Sequence, residues 1–253
     1  MKLSILLTND DGFHADGLQT LYHCLKESAS VTVVAPDRER SAVGHGITVH
    51  HPLRAISVLL DNCTHWMIDG TPSDCVKLAI ERLMPGKSPD LIISGINRGP
   101  NLGFDVLYSG TVSAAIEGTL YKIPSIALSL AGFSKLDFTP AALFVRENLW
   151  QLKELATQAT LNLNFPVTDT LAGFQGVRLT RLGIRIYQNV FEERKDPRGQ
   201  TYYWMGGEPA AFEQEQNSDI KAVDEGYISI TPLNIDLTDN SFLENNTKLT
   251  MKL

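Results

Sequence analysis

Two adjacent carboxylates, Asp10 and Asp11, directly follow the apolar run 3–7 in the stretch LLTNDDGFHADG. Two carboxylates this close repel each other unless a cation lies between them. The same Asn-Asp-Asp-Gly sequence is also favourable for a turn that precedes a helix, and this is the plainer explanation of the pair. The pair alone therefore leaves both a cation site and an ordinary turn open.

A second polar loop, PDRERSAVGHG, covers residues 36–46 and follows the β-branched run 31–35. Ser41 offers a hydroxyl oxygen in this loop, and Gly44 and Gly46 permit backbone angles that other residues avoid. A solvated, charged surface loop is the alternative interpretation. Taken alone, this loop does not decide between the two.

A third loop, GINRGPNLGFDVLYSGT, covers residues 95–111 and follows the apolar run 90–94. Asn97 and Asn101 lie among its glycines, and a loop of this length in a compact domain is usually functional. The loop ends where a helix is predicted to begin, and the backbone N–H groups and positive dipole end there favour a phosphate. Its last three residues are Ser109, Gly110 and Thr111.

The three loops carry the same kind of chemistry, because each follows a strand and each would open on one edge of a parallel sheet. Their candidate ligands are oxygen donors from Asp, Ser and Asn, which suit Mg²⁺ or Mn²⁺ rather than Zn²⁺. A divalent ion beside a helix N-terminus is an arrangement for hydrolysis of a phosphate ester. This combination is more specific than any one of the loops.

The elements that must position these loops alternate between strand and helix. The predicted strands are 3–7, 31–35, 90–94 and 125–130, and the predicted helices are 16–27, a helix capped at Thr71, 111–121 and 141–159. This alternation predicts an α/β fold with a doubly wound, mostly parallel, Rossmann-like sheet in residues 1–160. We expect residues 1–253 to form a single domain around it.

The segment 176–233 has a different pattern from the body that precedes it. Residues 176–207 alternate β-formers with charges around an Asp-Pro-Arg-Gly turn, which predicts an extended C-terminal β-hairpin arm. Residues 225–233 predict a strand that returns to the main sheet. Such an exposed arm often pairs with another subunit, although solvation on both sides is the alternative.

Composition excludes several partner classes. The net charge is −7, with 22 Lys and Arg against 29 Asp and Glu, which provides no electrostatic attraction to nucleic acid or to an anionic membrane. The three cysteines have no Cys-x-x-Cys spacing, and the first apolar run is too short for a signal sequence. We therefore expect a cytoplasmic protein in a reducing compartment. Neither a Walker-type nor a dinucleotide-binding glycine motif is present in the sequence.

The chain resembles the SurE family of stationary-phase survival proteins, which are metal-dependent phosphatases and nucleotidases. The resemblance rests on five motifs in the same order and spacing: LLTNDDG, VVAPDRERS, DGTPSDCVKLAI, ISGINRGPNLGFDVLYSGTVSAAIEG and ITPLNIDLTD. It implies a phosphomonoesterase that hydrolyses nucleoside 5′- and 3′-monophosphates and acts on polyphosphate. It also implies a homodimer or homotetramer assembled through the hairpin arm.

The resemblance also implies roles for individual residues, with one divalent ion, Mg²⁺ or Mn²⁺, in each subunit. The implied metal ligands are Asp10, Asp11, Ser41 and Asn97. For catalysis, a water activated on the metal, Asp10 or Asp11 as the base, and a covalent aspartyl route all stay open. The implied phosphate-binding residues are Asn101, Ser109, Gly110 and Thr111. The chain departs from many family members at Ala42, where they have glycine, so base preference and pH profile stay open at this loop.

Three other functions compete with this hypothesis. A haloacid-dehalogenase-type phosphatase carries an Asp-x-Asp pattern, whereas the two acids here are adjacent. A glycosyltransferase also binds a metal and phosphates. A non-catalytic sensor would bind metal and nucleotide in the same cavity without releasing phosphate, so phosphate release discriminates it from the enzyme.

Overall fold

A computed structural model describes residues 2–84, 86, 88–134, 136–188, 190–210 and 213–246. Its strands are β1 (Ser4–Thr8), β2 (Ser30–Pro36), β3 (Ala55–Leu60), β4 (Cys63–Ile68), β5 (Leu91–Arg98), β6 (Ser125–Leu130), β7 (Thr160–Phe165), β8 (Val177–Leu179), β9 (Tyr187–Gln188), β10 (Phe191–Lys195), β11 (Thr201–Met205), β12 (Glu208–Pro209) and β13 (Ile228–Leu233). Its α-helices are α1 (Asp16–Leu25), α2 (Pro72–Leu78), α3 (Gly110–Leu120), α4 (Thr139–Glu147), α5 (Leu149–Ala156), α6 (Asp219–Asp224) and α7 (Asn240–Asn245).

Nine of these strands form one sheet in the order β3-β4-β2-β1-β5-β6-β7-β13-β8. All pairs from β4 through β7 are parallel, whereas β3 and β13 run antiparallel to β4 and β7. Helices cover both faces of the sheet. The predicted α/β fold with a mostly parallel sheet is confirmed.

The chain reverses its direction across the sheet at β1. It passes from β1 to β2 on one side, and later enters β5 on the other side of β1. In open parallel sheets, ligands bind beyond the carboxyl ends of the strands at this reversal. The residues that follow β1, β2 and β5 are therefore placed where a ligand is expected.

The core consists of the central strands and the helices packed on them. Helix α1 buries Leu18, Leu21, Tyr22 and Leu25, the apolar face that the 3.6-residue spacing predicts, and it ends at Leu25 rather than at residue 27. In α2, Thr71 and Asp74 form a capping box, and the helix continues into a π-helical segment (Ala79–Leu83). The predicted start of this helix is thus confirmed.

Three elements differ from the expectation. The predicted helix 141–159 is two helices, because the Asn148 side-chain amide donates to the Phe144 carbonyl, 2.9 Å away, and the backbone turns there. The β3–β4 hairpin is absent from the prediction, and its turn uses positive φ at Asp61 and Asn62. Strand β7 was also missed, since asparagine at alternate positions is atypical of a strand.

The predicted arm is shorter than residues 176–207. Strand β8 belongs to the main sheet, where it pairs with β13, so the hairpin consists of β10–β11 and the flanking antiparallel pair β9–β12. The Asp196 carboxylate accepts the Arg198 and Gln200 backbone N–H groups and closes the predicted turn. The returning strand is confirmed as β13. Within the described residues, no helix is long and apolar enough to cross a membrane.

Candidate active site

A cavity of about 780 Å³ opens at the carboxyl edge of the sheet. Five of the eight predicted site residues line it: Asp10, Ser41, Asn97, Asn101 and Ser109. Asp11, Gly110 and Thr111 are not among its lining residues, although each contacts one that is or lies next to one in the chain. The three loops therefore meet at one place, and we call this space the carboxyl-edge cavity.

Asp10 is the most buried charged group in the cavity, with 4% of the residue exposed. The Thr111 hydroxyl donates to its Oδ1 atom. Burial raises the pKa of Asp10 from 3.8 to about 6, the Thr111 hydrogen bond opposes this rise, and the charge of Asp11 adds to it. A group that burial makes difficult to ionise is stabilised in its charged form by a nearby cation.

Asp11 connects the loop after β1 to the end of β5. Its Oδ2 atom accepts the Arg98 backbone N–H at 3.0 Å. Burial raises the pKa of Asp11, against the lowering effect of the Arg98 hydrogen bond. No salt bridge involves Asp10 or Asp11 in the part of the chain that the structure describes. A cation between the two carboxylates would supply the missing charge.

The loop that carries the pair is held by its own turn. The Asn9 amide donates to the Gly12 carbonyl at 2.9 Å, and the Gly12 N–H donates back to Asn9 Oδ1 at 3.2 Å. Gly12 has φ of +104°, and a Cβ there would lie 3.1 Å from the backbone of Arg38. The turn explanation and the site explanation of this sequence are thus compatible, since the turn positions the carboxylates.

Ser41 lies on a loop in which two residues have left-handed backbone angles. Ala42 has φ of +56° and Gly44 has φ of +55°, so Ala42 takes the conformation that glycine adopts at less cost. The Ser41 hydroxyl donates to Glu39 Oε1 at 2.7 Å.

A buried carboxylate, Glu117 of α3, holds the far end of the same loop. His45 Nε2 lies 2.7 Å from Glu117 Oε2, and the Lys77 ammonium lies 3.0 Å from Oε1. The Lys77 and His45 contacts lower the pKa of Glu117, and burial opposes them. These three residues were not predicted together, because they lie on three separate segments of the chain.

Asn97 and Asn101 take different environments within the third loop. A register shift between Ser94 and Asn97 interrupts the β5–β6 pairing, and the Asn97 amide donates to the Gly99 carbonyl at 2.9 Å. Asn101 is buried, and its amide donates to the Ser129 hydroxyl at 2.8 Å. These contacts fix both side chains at the cavity.

Strand β7 supplies the support of Asn101. Asn164 accepts the Asn101 backbone N–H, and the amides of Asn162 and Asn164 both donate to the Asn101 carbonyl, at 2.8 and 3.0 Å. The asparagines that made β7 hard to predict therefore hold the third loop in place through hydrogen bonds to Asn101. Only the spatial neighbourhood reveals this function.

Helix α3 begins at the cavity with Ser109 as its N-cap, whose hydroxyl accepts the Val112 N–H at 3.1 Å. Gly110 packs against Asp10, and a Cβ on Gly110 would lie 2.8 Å from Asp10 Cβ. Thr111 is fully buried, and its hydroxyl contacts Asp10. The Thr111 hydroxyl and the Thr111 backbone N–H both act on the Asp10 carboxylate, so Thr111 holds Asp10 in place, and its phosphate-binding role stays a prediction.

The donor set fits a hard divalent cation. All four predicted ligands offer oxygen atoms, and three of them line one cavity. Within the described residues, there is no cluster of three or more His, Cys, Asp or Glu that could hold a metal. Any ion here would therefore depend on the serine and asparagine oxygens as well as on the two carboxylates.

Comparisons with known proteins agree with this geometry. Residues 5–189 match the family model described as survival protein SurE. The chain belongs to the SurE family. It is 50% identical to the 5′-nucleotidase SurE of Heliobacterium modesticaldum over 248 residues, covering 96% of this chain and 90% of that protein. It is 51% identical to the 5′-nucleotidase SurE of Syntrophomonas wolfei over 246 residues, covering 96% of this chain and 92% of that protein.

A solved SurE structure has the same fold. The crystal structure of the SurE protein from Aquifex aeolicus superimposes with a TM-score of 0.84 at 38% identity, covering 96% of this chain and 98% of that one. The resemblance that the five motifs indicated is thus confirmed over nearly the whole chain. Membership in the SurE family does not by itself assign a role to any single residue. Those roles depend on the geometry of the site.

Proposed function

We propose that this chain is a 5′-nucleotidase that hydrolyses nucleoside 5′-monophosphates to a nucleoside and inorganic phosphate. The observation that carries the proposal is the convergence of Asp10, Ser41, Asn97 and the start of α3 on one cavity. Relatives about 50% identical over nearly the full chain bear the name 5′-nucleotidase SurE. A cavity with oxygen ligands beside a helix N-terminus suits a phosphate ester.

We further propose that one Mg²⁺ or Mn²⁺ ion per subunit is held by Asp10, Asp11, Ser41 and Asn97. Such an ion supplies Lewis-acid polarisation of a phosphoryl oxygen and offsets the negative charge of the reacting group. Two observations support this site. All four residues offer oxygen donors, and burial raises the pKa of both carboxylates while neither has a salt bridge among the described residues. Asp11 does not line the cavity itself, but it is next to Asp10 in the chain and accepts the backbone N–H of the cavity residue Arg98.

Other groups of the site bind the phosphate, accept a proton and orient Asp10. The backbone N–H groups at the start of α3, together with the Asn101 amide, bind and orient the phosphoryl oxygens. Asp10 or Asp11 accepts the proton of the attacking water, and the Thr111 hydroxyl fixes the orientation of Asp10. Buried donors that are already oriented need no rearrangement as charge develops.

The outer part of the cavity suits the nucleoside. Tyr108, Tyr187, Val190 and Met205 line it next to the polar site and offer aromatic and apolar surface to a base and a sugar. Tyr108 is 67% exposed, so this part of the cavity is open to solvent. We propose nucleoside 3′-monophosphates and polyphosphate as further substrates, because the polar site offers groups for a phosphate and the open outer part does not enclose the rest of the molecule.

We also propose that the chain forms a homodimer or homotetramer through the β10–β11 hairpin. Phe191, Tyr203, Trp204 and Met205 are each at least 59% exposed on this hairpin. Exposed aromatic surface of this kind typically marks an interface. Deletion of residues 192–206 should lower the number of subunits in the assembly, as measured by its molar mass in light scattering. An unchanged number of subunits would contradict the proposal.

The cytoplasm is the location we propose. All three cysteines, Cys24, Cys63 and Cys75, lie in the described part of the chain and are unpaired there. Unpaired thiols are usual in a reducing compartment.

A substrate panel tests the proposed activity. Phosphate release is measured from nucleoside 5′-monophosphates, nucleoside 3′-monophosphates, polyphosphate and a small aryl phosphate, with Mg²⁺ or Mn²⁺. The proposal expects the highest kcat/KM on a 5′-monophosphate. Binding of nucleotide without release from any substrate would instead assign the chain to the sensor class.

A further inference from the structure

The proposed reaction leaves a negative charge unbalanced. A divalent cation balances the charges of Asp10 and Asp11, and the proposed phosphate-binding groups at Asn101 and the start of α3 are neutral. A phosphate monoester brings close to two further negative charges at neutral pH. A positively charged side chain within reach would offset this charge in a partly buried cavity.

Arg98 is the one basic residue among the described residues that line the carboxyl-edge cavity. The other charged residue of the outer cavity, Asp105, is already satisfied. It accepts from the Arg185 guanidinium at 2.9 Å and from the Tyr187 hydroxyl at 2.8 Å. The charge of Arg98 acts on the neighbouring Asp11 carboxylate without forming an ion pair among the described residues, so it is still available to an incoming anion.

The backbone of Arg98 is fixed while its side chain is exposed. Its N–H donates to Asp11 at 3.0 Å, and the residue pairs with Leu130 at the end of β5. No salt bridge or side-chain hydrogen bond engages its guanidinium in the described part of the chain. A residue held at the cavity by its backbone, with a side chain that has no partner, is suited to contact a ligand.

We propose that the Arg98 guanidinium binds the phosphoryl group of the substrate and of the phosphate product. The proposal rests on the proposed function and adds a substrate-binding residue to that site. A guanidinium offers two parallel N–H donors to two oxygens of a phosphate, which a lysine does not. Arg98 thereby distinguishes dianionic phosphate esters from neutral nucleosides, which the aromatic wall alone would accept.

The test compares Arg98→Met and Arg98→Lys with the wild type. Inorganic phosphate is the probe, with its binding measured by calorimetry in the presence of Mn²⁺, beside inhibition by an uncharged nucleoside. Arg82→Met is the matched control, because it removes another exposed arginine from a segment that does not line the cavity. Mn²⁺ affinity of each variant is titrated separately.

Arg98→Met should weaken phosphate binding about ten- to a hundredfold, as loss of a charge-assisted hydrogen bond does. Arg98→Lys should restore part of it, whereas nucleoside inhibition and Mn²⁺ affinity stay within about twofold. Phosphate affinity of Arg98→Met equal to that of Arg82→Met would overturn the proposal. A wild type without turnover would contradict the proposed function alone, since phosphate binding still decides the role of Arg98.

Discussion

Replacement of Asp10 by asparagine should stabilise the metal-free protein while it abolishes activity. The reason is the pKa of Asp10, which burial raises from 3.8 to about 6. The folded state holds this proton more tightly than the unfolded state, so stability falls as pH rises between these two values. Asparagine has no such charge to desolvate, and its Oδ1 can still accept the Thr111 hydroxyl.

The size of the effect follows from the two pKa values. Relative to a group that stays neutral, the titration of Asp10 lowers the free energy of unfolding by about 1 kcal/mol at pH 4.5, where the carboxyl is ionised mainly in the unfolded state, and by about 3 kcal/mol at pH 8, where the effect is complete. The free energy by which Asp10→Asn is more stable than the wild type should therefore grow by about 2 kcal/mol from pH 4.5 to pH 8. At pH 8 the gain of about 3 kcal/mol corresponds to a Tm higher by roughly 6 to 12 °C for a chain of this size.

The assay is thermal and urea unfolding in the presence of chelator at pH 4.5 and pH 8. Asp169→Asn is the control, because Asp169 is exposed and its replacement should not change stability in a pH-dependent way. Added Mn²⁺ should raise the Tm of the wild type and leave that of Asp10→Asn unchanged. An advantage of Asp10→Asn that is equal at the two pH values, or absent at pH 8, would refute the reasoning.

Three further substitutions test residues of α3 that support the site. Thr111→Val removes the hydroxyl that orients Asp10 and should weaken Mn²⁺ binding about tenfold or more by calorimetry; unchanged affinity would contradict this function. Gly110→Ala places a Cβ 2.8 Å from Asp10 Cβ and should lower kcat/KM at least about tenfold, whereas a wild-type value would show that α3 can shift. Glu117→Gln leaves two basic partners without their carboxylate and should cost about 1 to 3 kcal/mol in urea unfolding; a loss below about 0.5 kcal/mol would contradict it.

The central sheet and the site loops could be predicted because each depends on local sequence. Buried β-branched strands, an amphipathic face at 16–27 and the Thr71 capping box all act through neighbours a few residues away. The loops after β1, β2 and β5 then meet because parallel strands share one carboxyl edge. Five predicted residues accordingly line one cavity.

The remaining features depend on contacts between distant segments. The contact of His45 with Glu117 joins residues 72 positions apart, and the one between Asn164 and Asn101 joins residues 63 apart. No local periodicity marks such pairs. The break at Asn148 and the pairing of β8 with β13 are likewise not marked by the local pattern of the sequence.

The central claim is that the carboxylate pair at the carboxyl edge supports metal-dependent hydrolysis of nucleotides. Its most direct test is phosphate release from a nucleoside 5′-monophosphate by the wild type and Asp10→Asn, each with Mg²⁺, with Mn²⁺ and with chelator. We expect release by the wild type with metal, and none by Asp10→Asn or with chelator. Equal release by the variant, or release that chelator leaves unchanged, would contradict the claim.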